Sequence, residues 1–516
     1  MKKNKIISFL IFFLVALPAL TNATIKLSAL FADHMVLQQK TTVPVWGWAS
    51  PGKEIVIEAS WQKNKIHTKA DQTGNWKIEL QTPKAGGPYK IKITGENSIE
   101  IDDVLIGEVW LCSGQSNMTF PLKYNDSAKQ EIAKADYPSI RYFAVQHQYG
   151  TKPFKDCQGE WQITSPETAA SFSAVAYFFA KEIQAKLKVP IGIVCSGWGG
   201  TPAEAWTSKN VLQNDESLQY FLQRWKEIPQ KVGADSIKYH LELQKWKAQK
   251  TPGKQLHKPD EPRTYYYYSK PWCEPAALFN GMIHPLVPFC FKGILWYQGE
   301  SNVSEANKYQ DLFTALIKSW RGHWDKEGKQ NVFPFYFVQI APFGYGDLND
   351  AAKLRQAQYD VMKTVDHTSM AVTIDLGNMN NIHFKHKREV GERLALIAFA
   401  KSYGYKNIIY KGPVCIKVSK ANNKIKLDFG QSLFTIDKEK PRGFEIGFKN
   451  PGSDSMEFVK AQSAVINGTQ AIVWSEEVKD PLAVRYAWVD AGGANLINKT
   501  GLPAFPFEKK IDSGTK

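Results

Sequence analysis

Four polar loops in this sequence carry residue types suited to acyl transfer. They are Gly114-Gln115-Ser116-Asn117-Met118, Gly199-Gly200-Thr201, Gln298-Gly299-Glu300-Ser301-Asn302, and a downstream loop that carries His383. A serine hydroxyl is a weak nucleophile until a base takes its proton. Histidine titrates near neutrality and suits that role. Attack on a carbonyl creates an oxyanion, which needs donors already in place. Backbone N–H groups in glycine-rich loops supply such donors, and an asparagine amide adds one more. Ser116, His383, Gly199 or Gly200, and Asn302 are therefore one candidate set. The local signal around Ser116 is weak, because Gly-Gln-Ser recurs at 430–432 in a β-like stretch with no supporting loops. A polar structural turn is the competing reading of the first copy. No G-x-S-x-G elbow occurs, which argues against the common α/β-hydrolase arrangement.

These loops need a scaffold. Apolar, strand-like runs at 104–112, 189–195 and 293–297 each lead into one of the first three loops, and a fourth such run covers 333–340. Helical periodicity appears at 169–187, 305–321, 349–364 and 385–402. In the last of these Val390, Leu394 and Ile397 share a face, and Gly404 suits its end. Strand–helix alternation predicts a parallel α/β sheet over 104–408. Ligands of such sheets bind at the carboxyl ends of strands, where the polar loops lie.

Residues 24–103 read as all-β: short runs such as Val43, Val45 and 55–57 are split by turns such as Pro51-Gly52, and 76–80 alternates. Residues 409–516 are β-rich again. Residues 210–270 interrupt the alternation. They are rich in Lys and Gln, with four tyrosines at 265–268. This is a helical insertion with a loop, either a solvated excursion or a wall of a cleft.

The chain of 516 residues is long enough for two or three domains. Residues 1–23 read as a signal peptide: Lys2, Lys3 and Lys5 precede an apolar stretch at 6–20, and Thr21-Asn22-Ala23 suits cleavage. No later apolar run is long enough for a membrane span, so the expectation is an exported protein, periplasmic or extracellular, without a membrane anchor after cleavage. The net charge of +15 comes from dispersed lysines, and no nucleic-acid motif accompanies it. Six cysteines form no C-x-x-C pair and are too sparse for a disulfide scaffold; any pairing stays open, as does the oligomeric state. The 16 Trp and 21 Tyr serve equally as core or as platforms for sugar rings.

Longer stretches now become informative. They are 30–39 (LFADHMVLQQ), 107–118 (GEVWLCSGQSNM), 197–206 (GWGGTPAEAW), 280–288 (NGMIHPLVP), 296–302 (WYQGESN), 382–396 and 481–488 (PLAVRYAW). In this order, and spread over nearly the whole chain after residue 23, they resemble the sialate O-acetylesterase family of the SGNH hydrolases. The resemblance implies a flavodoxin-like three-layer α/β/α catalytic domain with β-sandwich accessory regions on its N- and C-terminal sides. It implies removal of O-acetyl groups from carbohydrate through an acetyl-serine, with no cofactor and no metal. By position, Ser116 is the nucleophile and His383 the base; the Ser116 N–H, Gly200 or Gly199, and Asn302 form the oxyanion hole.

One position departs from the family. Asp usually stands two residues before the histidine, and here it is Asn381. Three readings follow. A Ser–His dyad uses Asn381 as orienter; another carboxylate substitutes, first Glu300 by similarity to related acetylxylan esterases, then Asp375; or the chain is an inactive carbohydrate-binding homologue. Gln115, Trp206 and Tyr297 are candidates for substrate contact, with core packing the alternative for the two aromatics. Besides sialate, acetylated plant polysaccharide (xylan, xyloglucan or pectin) fits the same motifs.

Overall fold

Continuous burial and period-two alternation meet in one strand. The structure, a computed structural model, describes residues 24–249, 259, 261–325, 332–346, 350–450, 452, 454–490 and 492–511. The expected signal peptide lies outside them. Strand β1 (Ser98–Gly114) alternates through residue 103 and is buried at every position from Val104 onward. Its first half pairs antiparallel with Gly86–Thr94 in an amino-terminal β region. Its second half is the centre of a parallel sheet. A strand covered on both faces has no solvent side, so the run VLIGEVWLCSG shows no alternation.

The sheet continues with β2 (Tyr137–Ala144), β3 (Trp161–Thr164), β4 (Ile191–Gly197), β5 (Gly293–Tyr297), β6 (Phe335–Val338) and β7 (Thr368–Ala371). The spatial order is β3-β2-β4-β1-β5-β6-β7, parallel throughout except for β3. The chain lays β2 and β3 on one side of β1, returns with β4 between β2 and β1, then crosses to the other side with β5. Loops leaving β1, β4 and β5 therefore open at the point where the winding reverses, the favoured ligand position in such sheets.

Six helices matter here: α1 (Ala174–Leu187), α2 (Gln219–Gln249), α3 (Arg263–Tyr268), α4 (Ala306–Trp324), α5 (Asp350–Thr364) and α6 (Lys387–Lys401). Ser173 caps α1 by accepting from the Ala176 N–H at 3.1 Å, so this helix starts later than its periodicity predicts. Helices α1 and α6 cover one face of the sheet and share a core with Trp110, Cys112, Tyr297 and Tyr336. They touch at Gly391, where an added Cβ would lie 2.7 Å from the Phe178 Cβ. Helices α4 and α5 cover the other face with Trp296, Phe313, Trp320 and Phe337. Cys112 and Cys195 are register partners on β1 and β4 and remain buried thiols, acting as small apolar side chains.

The carboxyl-terminal part is β-rich, as expected, with two antiparallel four-stranded sheets. It is tied to α5 by the buried Arg355, which donates to the carbonyls of Val489 (2.6 Å) and Asp490 (2.7 Å). Among the described residues, no helix is long and apolar enough to cross a membrane.

Candidate active site

The Ser116 loop is set by a close strand contact. Gly114 ends β1 at φ +136°, and a Cβ there would lie 2.1 Å from the Tyr297 carbonyl oxygen. Only glycine permits this approach. The Gln115 N–H then donates to that same carbonyl at 2.9 Å, and the N–H groups of Met118 and Thr119 fold back onto the Gln115 carbonyl. The turn leaves Ser116 half-buried beyond the end of the sheet.

The histidine reaches it from far along the chain. His383 Nε2 lies 2.8 Å from Ser116 Oγ, across 267 residues. Burial lowers the His383 pKa, and the nearby Lys387 charge lowers it further. Both effects favour the neutral, base-competent ring.

Asn117 joins the two loops. Its Nδ2 donates to Glu300 Oε1 at 2.6 Å and to the Ile382 carbonyl at 3.1 Å, immediately before His383. Its Oδ1 accepts from Lys387 Nζ at 2.7 Å. Lys387 is fully buried over the Phe384 ring, and burial pulls its pKa down to about 7 against the opposing pull of Glu300. Burial raises the Glu300 carboxyl. Sequence reasoning misses both Asn117 and Lys387. Lys387 stands between Lys385 and Arg388 at a helix start, where nothing separates a buried lysine from a solvated one.

Of the loops that hold the candidate oxyanion donors, the one after β4 lies against the serine. The Trp198 N–H donates to the Gly114 carbonyl at 3.1 Å, and a Cβ on Gly199 would lie 3.2 Å from the Ser116 Cβ. Gly200 follows at φ +71°. Asn302 is buried; its Oδ1 accepts from the Ala203 N–H (2.9 Å) and Gln298 Nε2 (2.7 Å), and its Nδ2 donates to Glu204 Oε2 (2.9 Å). An amide carries two N–H groups. One of the two on Asn302 has no protein acceptor among the described residues.

Several expectations need correction. None of the three acid candidates is bonded to the His383 ring. Asn381 Oδ1 accepts from the His383 backbone N–H at 2.9 Å, which shapes the loop rather than the imidazole. Asp375 is held by Arg393 in a two-pronged pair at 2.6 and 2.7 Å. Glu300 is bonded to Asn117, which bonds the Ile382 carbonyl in the histidine loop. The two aromatic substrate candidates are core. Trp206 is buried and donates to Thr201 Oγ1, and Tyr297 is buried within the sheet. Gln115 is also buried, with its Oε1 accepting from the Ser301 N–H at 3.3 Å, so it links two loops.

Other aromatics gather at Trp198, next to the Gly199 that lies against the serine. His147 stacks on Trp198 with centroids 3.9 Å apart, and Trp198 stacks on Trp272 at 5.0 Å. Tyr149 meets both tryptophans edge-on at 6.2 Å. The wall is assembled from separate loops, so its only sequence signal is a tryptophan between glycines at 197–200.

Known proteins resemble this chain over most of its length. A family model described as carbohydrate esterase, sialic acid-specific acetylesterase, matches residues 106–240 and 269–400. The crystal structure of a novel carbohydrate acetylesterase from Xanthomonas citri is 36% identical, with a TM-score of 0.77, covering 94% of this chain and 99% of that one. The sialate O-acetylesterase of Rattus norvegicus is 29% identical over 93% of this chain and 93% of its own length. That of Homo sapiens is 28% identical over 88% of this chain and 86% of its own. The chain therefore belongs to the carbohydrate esterase family of sialic acid-specific acetylesterases and is a carboxylic ester hydrolase.

Proposed function

We propose that this enzyme removes O-acetyl groups from carbohydrate through an acetyl-serine, using a Ser116–His383 dyad. The observation that carries this reading is the 2.8 Å contact between His383 Nε2 and Ser116 Oγ. Ser116 Oγ attacks the acetyl carbonyl while His383 Nε2 takes its proton. The oxyanion is received by the Ser116 N–H, the Gly200 N–H and the second N–H of Asn302. Gly199 stays exposed beside the serine as the alternative loop donor. The tetrahedral intermediate collapses, its bond to the sugar oxygen breaks, and His383 returns the proton to that oxygen. Water, deprotonated by the same ring, then attacks the acetyl-serine and releases acetate. His383 is oriented through its loop, by Asn381 on its own N–H and by Asn117 on the Ile382 carbonyl. A triad carboxylate has no part in this scheme.

The aromatic wall of His147, Trp198 and Trp272 supports a sugar ring as the alcohol part of the ester. Between sialate and plant polysaccharide, three of the described arginines favour the second. Arg224 is bound to Glu204 and Glu305, Arg388 to Glu131, and Arg393 to Asp375. Each of these three guanidiniums is already paired with a carboxylate of the protein, which leaves less of its donor capacity for the carboxylate of a sialate. Acetylated xylan or xyloglucan, whose backbones carry none, fits better. We also assign the parallel sheet and its helix layers to the SGNH type. Its core order β4-β1-β5-β6-β7 supports this, being the 2-1-3-4-5 order of flavodoxin-like sheets. The flanking antiparallel sheets are assigned as β-sandwich accessories. The leader at residues 1–23 supports action outside the cytoplasm.

Acetate release from a panel of acetylated xylo-oligosaccharides, xyloglucan, pectin and sialosides tests the reading. Wild type is expected to deacetylate the neutral plant glycans, and Ser116→Ala none. Release from sialosides alone would reverse the substrate choice. Silence on the entire panel would leave a carbohydrate-binding homologue.

A further inference from the structure

Helix α2 buries only Phe221, Ile228 and Tyr239, far less than a helix of its length can. Its start nonetheless reaches the site. Arg224 donates through Nη2 to Glu204 Oε1 and through Nη1 to Glu305 Oε1 at 2.5 Å. Glu204 is buried, and its other oxygen holds the Nδ2 of Asn302 at 2.9 Å. The guanidinium is boxed by Tyr220, Phe221 and Tyr267, 5.1–5.7 Å from the ring centroids. Burial works against its charge, but Glu204, Tyr267 and Glu305 outweigh burial and raise its pKa. Glu204 takes the guanidinium on one oxygen and offers the other as an acceptor to Asn302. That acceptor fixes which end of the Asn302 amide faces it. The Oδ1 end then meets the Ala203 N–H and Gln298 Nε2.

A second contact comes from the other end of the same insertion. Tyr266, on α3, donates its hydroxyl to the Gly200 carbonyl at 2.8 Å. A Cβ on Gly200 would lie 2.4 Å from that oxygen, so glycine and tyrosine fit as a pair. The family match skips 241–268, which contains Tyr266 but not Arg224.

We propose that the insertion built from α2 and α3 is a clamp on the oxyanion hole, with Arg224 acting through Glu204 on Asn302 and Tyr266 acting on Gly200. Neither side chain touches the reacting atoms; both are positioning residues. The inference rests on the serine-esterase reading above, with Gly200 and Asn302 as donors.

The test uses 4-nitrophenyl acetate, whose leaving group makes no demand on a sugar cleft. Arg224→Met should lower kcat roughly 10–100-fold with KM within about threefold, less than the full loss of an oxyanion donor. Arg224→Lys should restore part of that loss. Tyr266→Phe should lower kcat roughly 3–10-fold, a fraction of one donor. Wild-type kcat in both variants, or a loss confined to KM, overturns the clamp. If Arg224→Met fails to fold, Tyr266→Phe decides alone, since it removes a single hydroxyl: unchanged kcat overturns the proposal. Ser116→Ala run alongside separates the two ideas. An active Ser116→Ala sinks the esterase reading, whereas a dead one beside fully active clamp variants sinks the clamp only.

Discussion

At the scale of residues, the open question is what orients the base. Position in the chain is legible from sequence; the direction of a side chain is not. The loops that bring Ser116 and His383 together are legible because each is a polar break between regular elements. The acid was not, since proximity in a motif says nothing of which atom a carboxylate meets. Here Glu300 serves Asn117, and a glutamine keeps an oxygen for that bond. Glu300→Gln should therefore leave kcat within about tenfold of wild type, whereas loss of a true triad acid costs about 10⁴-fold. A fall of that larger size in steady-state assays would restore Glu300 to the triad. The pH profile makes a second demand. Burial and Lys387 both lower the His383 pKa below its usual 6.5, so the ring stays neutral to lower pH. The acid limb of kcat/KM should have its midpoint below 6.5. Lys387→Met removes a positive charge, which raises the His383 pKa and should move that limb upward. A limb that stays put would show that Lys387 does not act on the base.

At the scale of elements, the loops after β1, β4 and β5 converge because the winding reverses between β1 and β5. The long helices and the apolar strands were readable by period and composition. Strands β2, β3 and β7 were not: Trp161–Thr164 and Thr368–Ala371 are short and carry polar residues, so no apolar run marks them. The unity of β1 was hidden too, because its alternation stops where its second face becomes covered. The β1–β5 contact at Gly114 yields a prediction. A Cβ there meets backbone rather than a movable side chain, at a backbone conformation that L residues rarely adopt. Gly114→Ala should lose about 3 kcal/mol of stability, seen as a lower unfolding midpoint together with lost activity. A variant of wild-type stability would mean that the two strands can part at no cost.

At the scale of the whole molecule, the catalytic sheet is fastened to both flanking β regions. Strand β1 is shared with the amino-terminal one. Arg355 bonds the carboxyl-terminal one, and it also donates to the Ile340 carbonyl at 3.1 Å. Burial brings its pKa down to about 10 and still leaves it charged at neutral pH. Arg355→Met should cost about 3 kcal/mol through the carbonyls left unpaired. Calorimetry should show a lower unfolding temperature, while kcat of the folded enzyme is retained. What this architecture accomplishes chemically is the meeting of two side chains 267 residues apart. The most direct measurement of that claim is acid-quench mass spectrometry after mixing with 4-nitrophenyl acetate. One acetyl group should be found on the peptide bearing Ser116 and be absent from Ser116→Ala. Turnover without an acetylated Ser116, or an acetyl group on another residue, would contradict it.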